Sequence, residues 1–146
     1  MELVTLLDAL KAMHGEVLTQ IAALEAVVAC PAPNRDSLSN ARWRLMRASR
    51  ARLKLLNDGV YPALCDTMPG PVAAFRADDA ASRAASAKHI AYWQIDRIIA
   101  DWPGYQAVSG QITARMRRRI ADEQRAFYPA LGRAVATPSV ASRSGR

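Results

Sequence analysis

The sequence Tyr-Pro-Ala-Leu occurs twice in this chain, at residues 61–64 and 128–131. Each copy closes a run of good helix formers, and the longer segments RARLKLLNDGVYPAL and RRRIADEQRAFYPAL are weakly similar. Proline has no N–H to donate to the next turn, so each copy is expected to end a helix. One histidine precedes each copy, His14 and His89, inside a separate helical stretch. The repeat therefore predicts two helix hairpins, each with a histidine on its first helix.

Length and composition favour a single all-α domain. Of the 146 residues 51% are hydrophobic, and Ala and Leu supply most of these, whereas runs of β-branched residues are scarce. Such residues favour helices. We expect the domain to span residues 1–134 and a basic tail at 135–146 to be disordered. No apolar run approaches the roughly 18 residues of a membrane span, so we expect a soluble cytoplasmic protein with no membrane partner.

The net charge of +7 comes almost entirely from arginine. Four basic residues form a stripe on the outer side of the second predicted helix: Arg44, Arg47, Arg50 and Lys54. Such stripes are commonly solvated surface, and the alternative is a face that binds an acidic protein partner. Because the charge is spread along the chain, we do not expect nucleic acid as a partner. Cys30 and Cys65 end antiparallel helices at opposite ends of the molecule, so both should be reduced.

Apolar residues repeat at spacings of three and four from residue 2 to residue 29. This pattern predicts an amphipathic first helix that ends before Pro31. His14 occupies one position of the apolar seam, halfway along the helix. A buried imidazole needs a polar partner, so His14 is either a core histidine bonded to a neighbouring side chain or a metal ligand or proton carrier.

The second helix is expected to begin with Asp36 or Ser37 as its N-cap. The spacing of its apolar residues carries Arg52 onto the inner face. The sequence Asn57-Asp58-Gly59 should weaken its last turn before the first Tyr-Pro pair. Residues 65–79, which contain Pro69-Gly70-Pro71, form the longest predicted loop.

The third helix is expected to be capped by Asp78 or Asp79 and to end at Pro103-Gly104. His89 and Asp96 fall on one face of this helix among large apolar side chains. Two polar residues in that setting predict a buried polar network.

The fourth helix is predicted to begin near Tyr105. Arg119 and Glu123 are four residues apart on its buried face, the spacing of a direct ion pair. Four helices joined by modest loops predict an antiparallel up-down-up-down bundle. Five polar residues fall near mid-helix on inner faces and are predicted to form a core polar network: His14, Arg52, His89, Arg119 and Glu123.

Residues 3–133 resemble the hemerythrin-like (HHE cation-binding) family, and the most specific match is DEQRAFYPAL near the end of the fourth helix. The resemblance implies a four-helix bundle that holds two irons, with His on helices one and three and His-x-x-x-Glu on helices two and four. Counting back from the two prolines places these ligands at six positions of this chain: His14, His89, Arg52, Leu56, Arg119 and Glu123.

Three of these six positions carry no ligand, which makes the family site degenerate here. Guanidinium groups stay protonated and cannot donate a lone pair to iron, and Arg52 and Arg119 stand where the family has histidine. The simplest interpretation is that Glu123 pairs with the two arginines and that no metal is bound. A single iron or zinc held by His14, His89 and Glu123 is the alternative, since two histidines and one carboxylate form a known mononuclear set.

Three functions follow. The first, which the sequence favours, is a metal-free binding or regulatory module. An enzyme is not expected, because the sequence contains no nucleophile elbow and no Gly-rich phosphate loop. The second is a hemerythrin-like protein that binds one iron or zinc or senses O2 or redox state. The third is a histidine phosphotransfer domain, which needs an exposed histidine near Lys and Gly, and Lys88-His89 is its only faint match.

Overall fold

The computed structural model describes residues 2–144, and the side chains of residues 2–133. Within this range the regular secondary structure is all helical, without strands, which confirms the all-α prediction. None of the described helices combines the length and hydropathy needed to cross a bilayer. The helical segments are α1 (Leu3–Val28), α2 (Arg35–Leu55), a π-helical turn (Leu56–Val60), α3 (Tyr61–Leu64), α4 (Pro69–Tyr92), α5 (Ile95–Ala100) and α6 (Trp102–Ser144).

Helix α1 follows its predicted seam, with His14 buried between Leu10 and Val17. The end of α1 contacts the start of α6, and the middle of α1 contacts the middle of α6. Gln106, near the start of α6, donates to the Val28 carbonyl at 2.8 Å, whereas His14 contacts Glu123, further along α6. The two helices are therefore antiparallel.

The apolar core is divided into two clusters. One cluster joins the second half of α1 to the start of α2 and of α6 and contains Trp93, Trp102 and Tyr105. The other joins the start of α1 to α3, the first turns of α4 and the later part of α6, and it contains Tyr61 and Phe127. His14, Arg52 and Glu123 lie between the two clusters along their own helices.

The second helical segment begins earlier than its sequence predicts. Asn34, and neither Asp36 nor Ser37, is the N-cap, since its side chain accepts a hydrogen bond from the Ser37 N–H at 2.9 Å. The segment continues through the π turn into α3, which consists of the first Tyr-Pro-Ala-Leu and has Pro62 in its first turn. A Cβ at Gly59 would stand 2.6 Å from Leu6, so glycine allows α1 to approach the π turn closely.

Helix α4 corrects the predicted boundaries of the third helix. It begins at Pro69, and Asp78 and Asp79 lie inside it as neither cap nor loop. Proline is well suited to a first turn because its missing N–H has no helical partner there. For the same reason Pro103 belongs to the first turn of α6, where the sequence predicted a helix end.

The middle of α4 packs against little, since every residue from 80 to 88 is exposed. Cys30 and Cys65 are free thiols, as predicted. Helix α6 passes through the second Tyr-Pro-Ala-Leu to Ser144, whereas the first copy is the last turn of its helical segment, which ends at Leu64 as expected. The predicted disordered tail, 135–146, lies outside the residues whose side chains are described.

Candidate functional site: a buried ion network

Glu123 is the centre of a buried group of charged side chains that we call the ion network. It is 0% exposed, and its Oε1 lies 2.8 Å from His14 Nε2. Its Oε2 lies 2.7 Å from Arg119 Nε and 3.3 Å from a terminal nitrogen of Arg52. One carboxylate thus receives hydrogen bonds from His14 and Arg119 and pairs with the charge of Arg52, which compensates for the loss of its hydration.

His14 uses both of its ring nitrogens. Nε2 faces the Glu123 carboxylate and must therefore donate, while Nδ1 lies 2.6 Å from the Tyr128 hydroxyl. A neutral imidazole with its proton on Nε2 satisfies both contacts, with Tyr128 donating to Nδ1. The second Tyr-Pro-Ala-Leu copy thus supplies a hydrogen-bonded hydroxyl to the network.

Arg119 extends the ion network to α4 and α3. Its guanidinium contacts Asp78 and lies 2.6 Å from Asp79 Oδ1 and 3.2 Å from the Tyr61 hydroxyl. Tyr61 in turn donates to Asp79 Oδ2 at 2.5 Å. Both tyrosines of the repeated motif therefore end in the network, one at each end of it.

The protonation states agree with these contacts. Burial alone would raise the pKa of Glu123, but the hydrogen bond from His14 and the charges of Arg52 and Arg119 outweigh it and lower the pKa below its usual value. Burial, together with the hydrogen bond to Asp79, raises the pKa of Tyr61 far above its usual value. Glu123 is thus an acceptor and Tyr61 a donor at every physiological pH.

Arg52 is less completely paired than Arg119. Its side chain is 8% exposed and contacts Glu123, but its Nε has no hydrogen-bond partner among the described residues. The Ser49 hydroxyl, one helical turn away, is likewise buried without a partner in that part of the chain. Arg119 is 12% exposed and contacts three carboxylates, so Arg119 provides most of the charge pairing of the site.

The structure brings four of the five predicted network residues together and places His89 elsewhere. Its ring stacks on Tyr105, with centroids 6.2 Å apart, near Trp93 and Trp102, a group we call the aromatic layer. The α4 residue that faces Arg119 is Asp79, and His89 lies ten residues further, or about 15 Å along the helix. The register of α4 against α6 therefore excludes His89 from the network.

The predicted polar face around His89 is also absent. Asp96 lies on the surface of α5, 87% exposed, and pairs with Arg35 at 3.0 Å. Burial and the nearby Arg42 lower the pKa of His89 below its usual 6.5. The helix break between α4 and α5 separates the two residues that the sequence placed on one face.

The network residues do not fit a metal centre. His14 and Glu123 already use their donor atoms on protein partners, and the third predicted ligand, His89, is in the aromatic layer. Over the part of the chain that the structure describes, no three His, Cys, Asp or Glu side chains are grouped so as to hold an ion. The phosphotransfer hypothesis meets a similar difficulty, since His14 is 1% exposed and His89 is partly buried.

Sequence reasoning missed four members of the network: Asp78 and Asp79, interpreted as helix caps, and Tyr61 and Tyr128, interpreted as helix ends. The repetition of tyrosine in both motif copies was the available signal, because a conserved spacing of a hydroxyl-bearing side chain is compatible with a shared bonding role. No family model, curated protein or solved structure matches this chain. What the site does must therefore be argued from its geometry.

Proposed function

We propose that this chain is a metal-free binding or regulatory module: an antiparallel four-helix bundle of hemerythrin-like arrangement whose ion network replaces a metal centre. The supporting observation is that Glu123 accepts hydrogen bonds from His14 and Arg119 and pairs with Arg52, while His14 is held between Glu123 and Tyr128. A metal ion would have to displace these donors and sit beside two guanidinium groups.

The same contacts indicate a structural task for the network. It joins α1, α2, α3, α4 and α6 at one level between the two apolar clusters. Charged groups tolerate burial when they are paired and hydrogen-bonded, and such networks restrict the packing that the helices can adopt. Fixing the register of the helices is the role that we assign to the site.

We assign the module no catalytic activity. His14 and Glu123 are 1% and 0% exposed and bonded to each other, so neither is presented to a substrate. Its function then depends on its outer surface, in keeping with binding or regulation.

Metal analysis of untagged protein, purified without chelators from cells grown with added iron and zinc, tests the proposal. We expect far less than one metal per chain. Titration with Fe²⁺ or Zn²⁺ should also leave the melting temperature unchanged. If the chain had a metal site, free metal at about 100 times its Kd would raise the free energy of unfolding by about 2.7 kcal/mol. One iron or zinc per chain, or a clear rise in melting temperature, would refute the metal-free proposal.

A further inference from the structure

The outer face of α2 combines an exposed tryptophan with a row of cations. Trp43, Arg47, Arg50 and Lys54 follow one another at intervals of four, three and four residues, so they form one stripe along the helix. Arg44 lies beside the stripe, and together these five residues are the α2 basic face. Trp43 is 52% exposed, and all four cations are exposed. The opposite side of α2 is buried in the core.

The cations of this face have few partners within the protein. Lys54 contacts Asp58 at 3.8 Å, and Arg47 lies over the Trp43 ring at 4.6 Å. Among the side chains that the structure describes, no carboxylate pairs with Arg44, Arg47 or Arg50. Some exposed arginines elsewhere do have such partners, as Arg117 has Glu25 and Arg125 has Asp122. The α2 basic face is thus left with unneutralised charge around an apolar ring.

We propose that the α2 basic face binds an acidic helix of a partner protein. This inference deepens the proposed function, on which it rests, by naming the surface and the class of partner. A helix with carboxylates three and four residues apart matches the spacing of the cations, and one apolar side chain of that helix would cover Trp43. Arginine and tryptophan are the residues most enriched at the energetic centres of protein interfaces.

The same face is poorly suited to the two other polyanionic partners. A membrane-surface helix needs a broad apolar side, and the apolar side of α2 is already buried against α1. Single-stranded nucleic acid is commonly bound by several stacking aromatics, whereas this face has only Trp43, and Arg47 covers one side of its ring.

The size of the face also predicts the strength of binding. From Trp43 to Lys54 the stripe is about 16 Å long, or three helical turns. A strip of this length and one helix width, about 10 Å, covers far less than the roughly 800 Å² per partner of a standard interface, so the complex should be transient. Because the contacts are exposed ion pairs, its affinity should decline as salt rises.

The test uses a synthetic helical peptide of about 20 residues that carries glutamates at intervals of four, three and four residues and a leucine opposite Trp43. Its binding to the full chain is measured by calorimetry at low and moderate salt. We expect binding to weaken at least about tenfold in the R47E/R50E variant and in W43A. A matched peptide with lysine in place of glutamate should bind R47E/R50E and not the parent.

The control variant is R115E/R118E, which reverses two exposed arginines of α6 and changes the net charge equally. It should bind the glutamate peptide like the parent. If both double variants weakened peptide binding equally, the effect would come from net charge alone and the proposal would be overturned. No binding of the glutamate peptide to the parent would also overturn it. Binding of oligo-dT or phosphatidylserine vesicles in place of the peptide would also overturn it. Metal content of the same preparations tests the proposed function separately, so the two failures are distinguishable.

Discussion

The ion network and the aromatic layer each contain one of the two histidines, yet the two side chains have opposite surroundings. His14 is held between a carboxylate and a phenol, and both ring nitrogens are bonded. His89 stacks on Tyr105, and the nearest charge that affects it is the cation Arg42. The ion network holds His14 through hydrogen bonds, whereas the aromatic layer disfavours the positively charged form of His89.

The difference follows from how the two helices pack. Helix α1 buries one residue in nearly every turn, so a histidine on its seam is enclosed. Helix α4 has only Val72 and Asp79 buried, and its residues 80–88 are exposed. The sequence repeat thus predicts that His14 and His89 each lie on the first helix of a hairpin. The helices that pack around each histidine determine its chemical environment.

The largest expected effect is at the centre of the ion network. Glu123→Ala should destabilise the fold by about 3–5 kcal/mol, because it leaves the buried Arg52 without its counter-charge and removes one of the three carboxylates that pair with Arg119. Glu123→Gln should be milder since it keeps an acceptor. Urea unfolding monitored by circular dichroism measures both. Glu25→Ala, which breaks a half-exposed pair with Arg117, is the control and should cost less than about 1 kcal/mol.

Two neighbouring carboxylates on α4 test how far the network extends. Asp79 is 6% exposed and Asp78 is 59% exposed, although both contact Arg119. Asp79→Ala should cost about 3 kcal/mol, because Arg119 and Tyr61 both lose a buried partner. Asp78→Ala should cost less than about 1 kcal/mol. Equal losses in urea unfolding would show that α4 is not anchored through Asp79.

Acid should affect the network at low pH. The pKa of Glu123 is lowered from 4.5 in the folded state, so its stabilisation is complete above pH 4.5 and is lost as pH falls through the folded value. Melting temperatures from pH 6 to pH 3 should therefore fall more steeply for the parent than for Glu123→Gln. Parallel curves would contradict this assignment.

The smallest effect concerns the aromatic layer at milder pH. The pKa of His89 is lowered from 6.5, so the unfolded chain binds its proton first and stability declines as pH falls below 6.5. His89→Phe retains a stacking ring without titrating, and we expect its melting temperature to be flatter from pH 7 to pH 5.5. At pH 7.5 the two proteins should differ little. If the melting temperature of the parent were as independent of pH as that of the variant, the pKa of His89 would not be lowered by folding.

Local patterns predicted some of these features and tertiary contacts decided the others. The seam of α1 and the four-residue spacing of Arg119 and Glu123 depend on one helix alone, and both predictions match the structure. The pairing of Asp79 with Arg119 depends on where α4 begins. Two prolines at that start favour a loop and a helix first turn equally well. Periodicity within one helix does not specify its register against another, so His89 was wrongly assigned to the network.

The π turn determines how α3 is rotated about the helix axis relative to α2. Trp43 and Tyr61 are 18 residues apart, which is five whole turns of an α-helix, so an uninterrupted helix would point both outward. A π turn accommodates about one additional residue, which rotates the later segment by about 100°. Trp43 is 52% exposed, and Tyr61 is 0% exposed and bonded to Asp79. Deleting one residue at Asn57 would restore an ordinary helix of 17 residues between the two side chains, which spans the same rotation as these 18 residues with their π turn, and would therefore leave the phenol in the core.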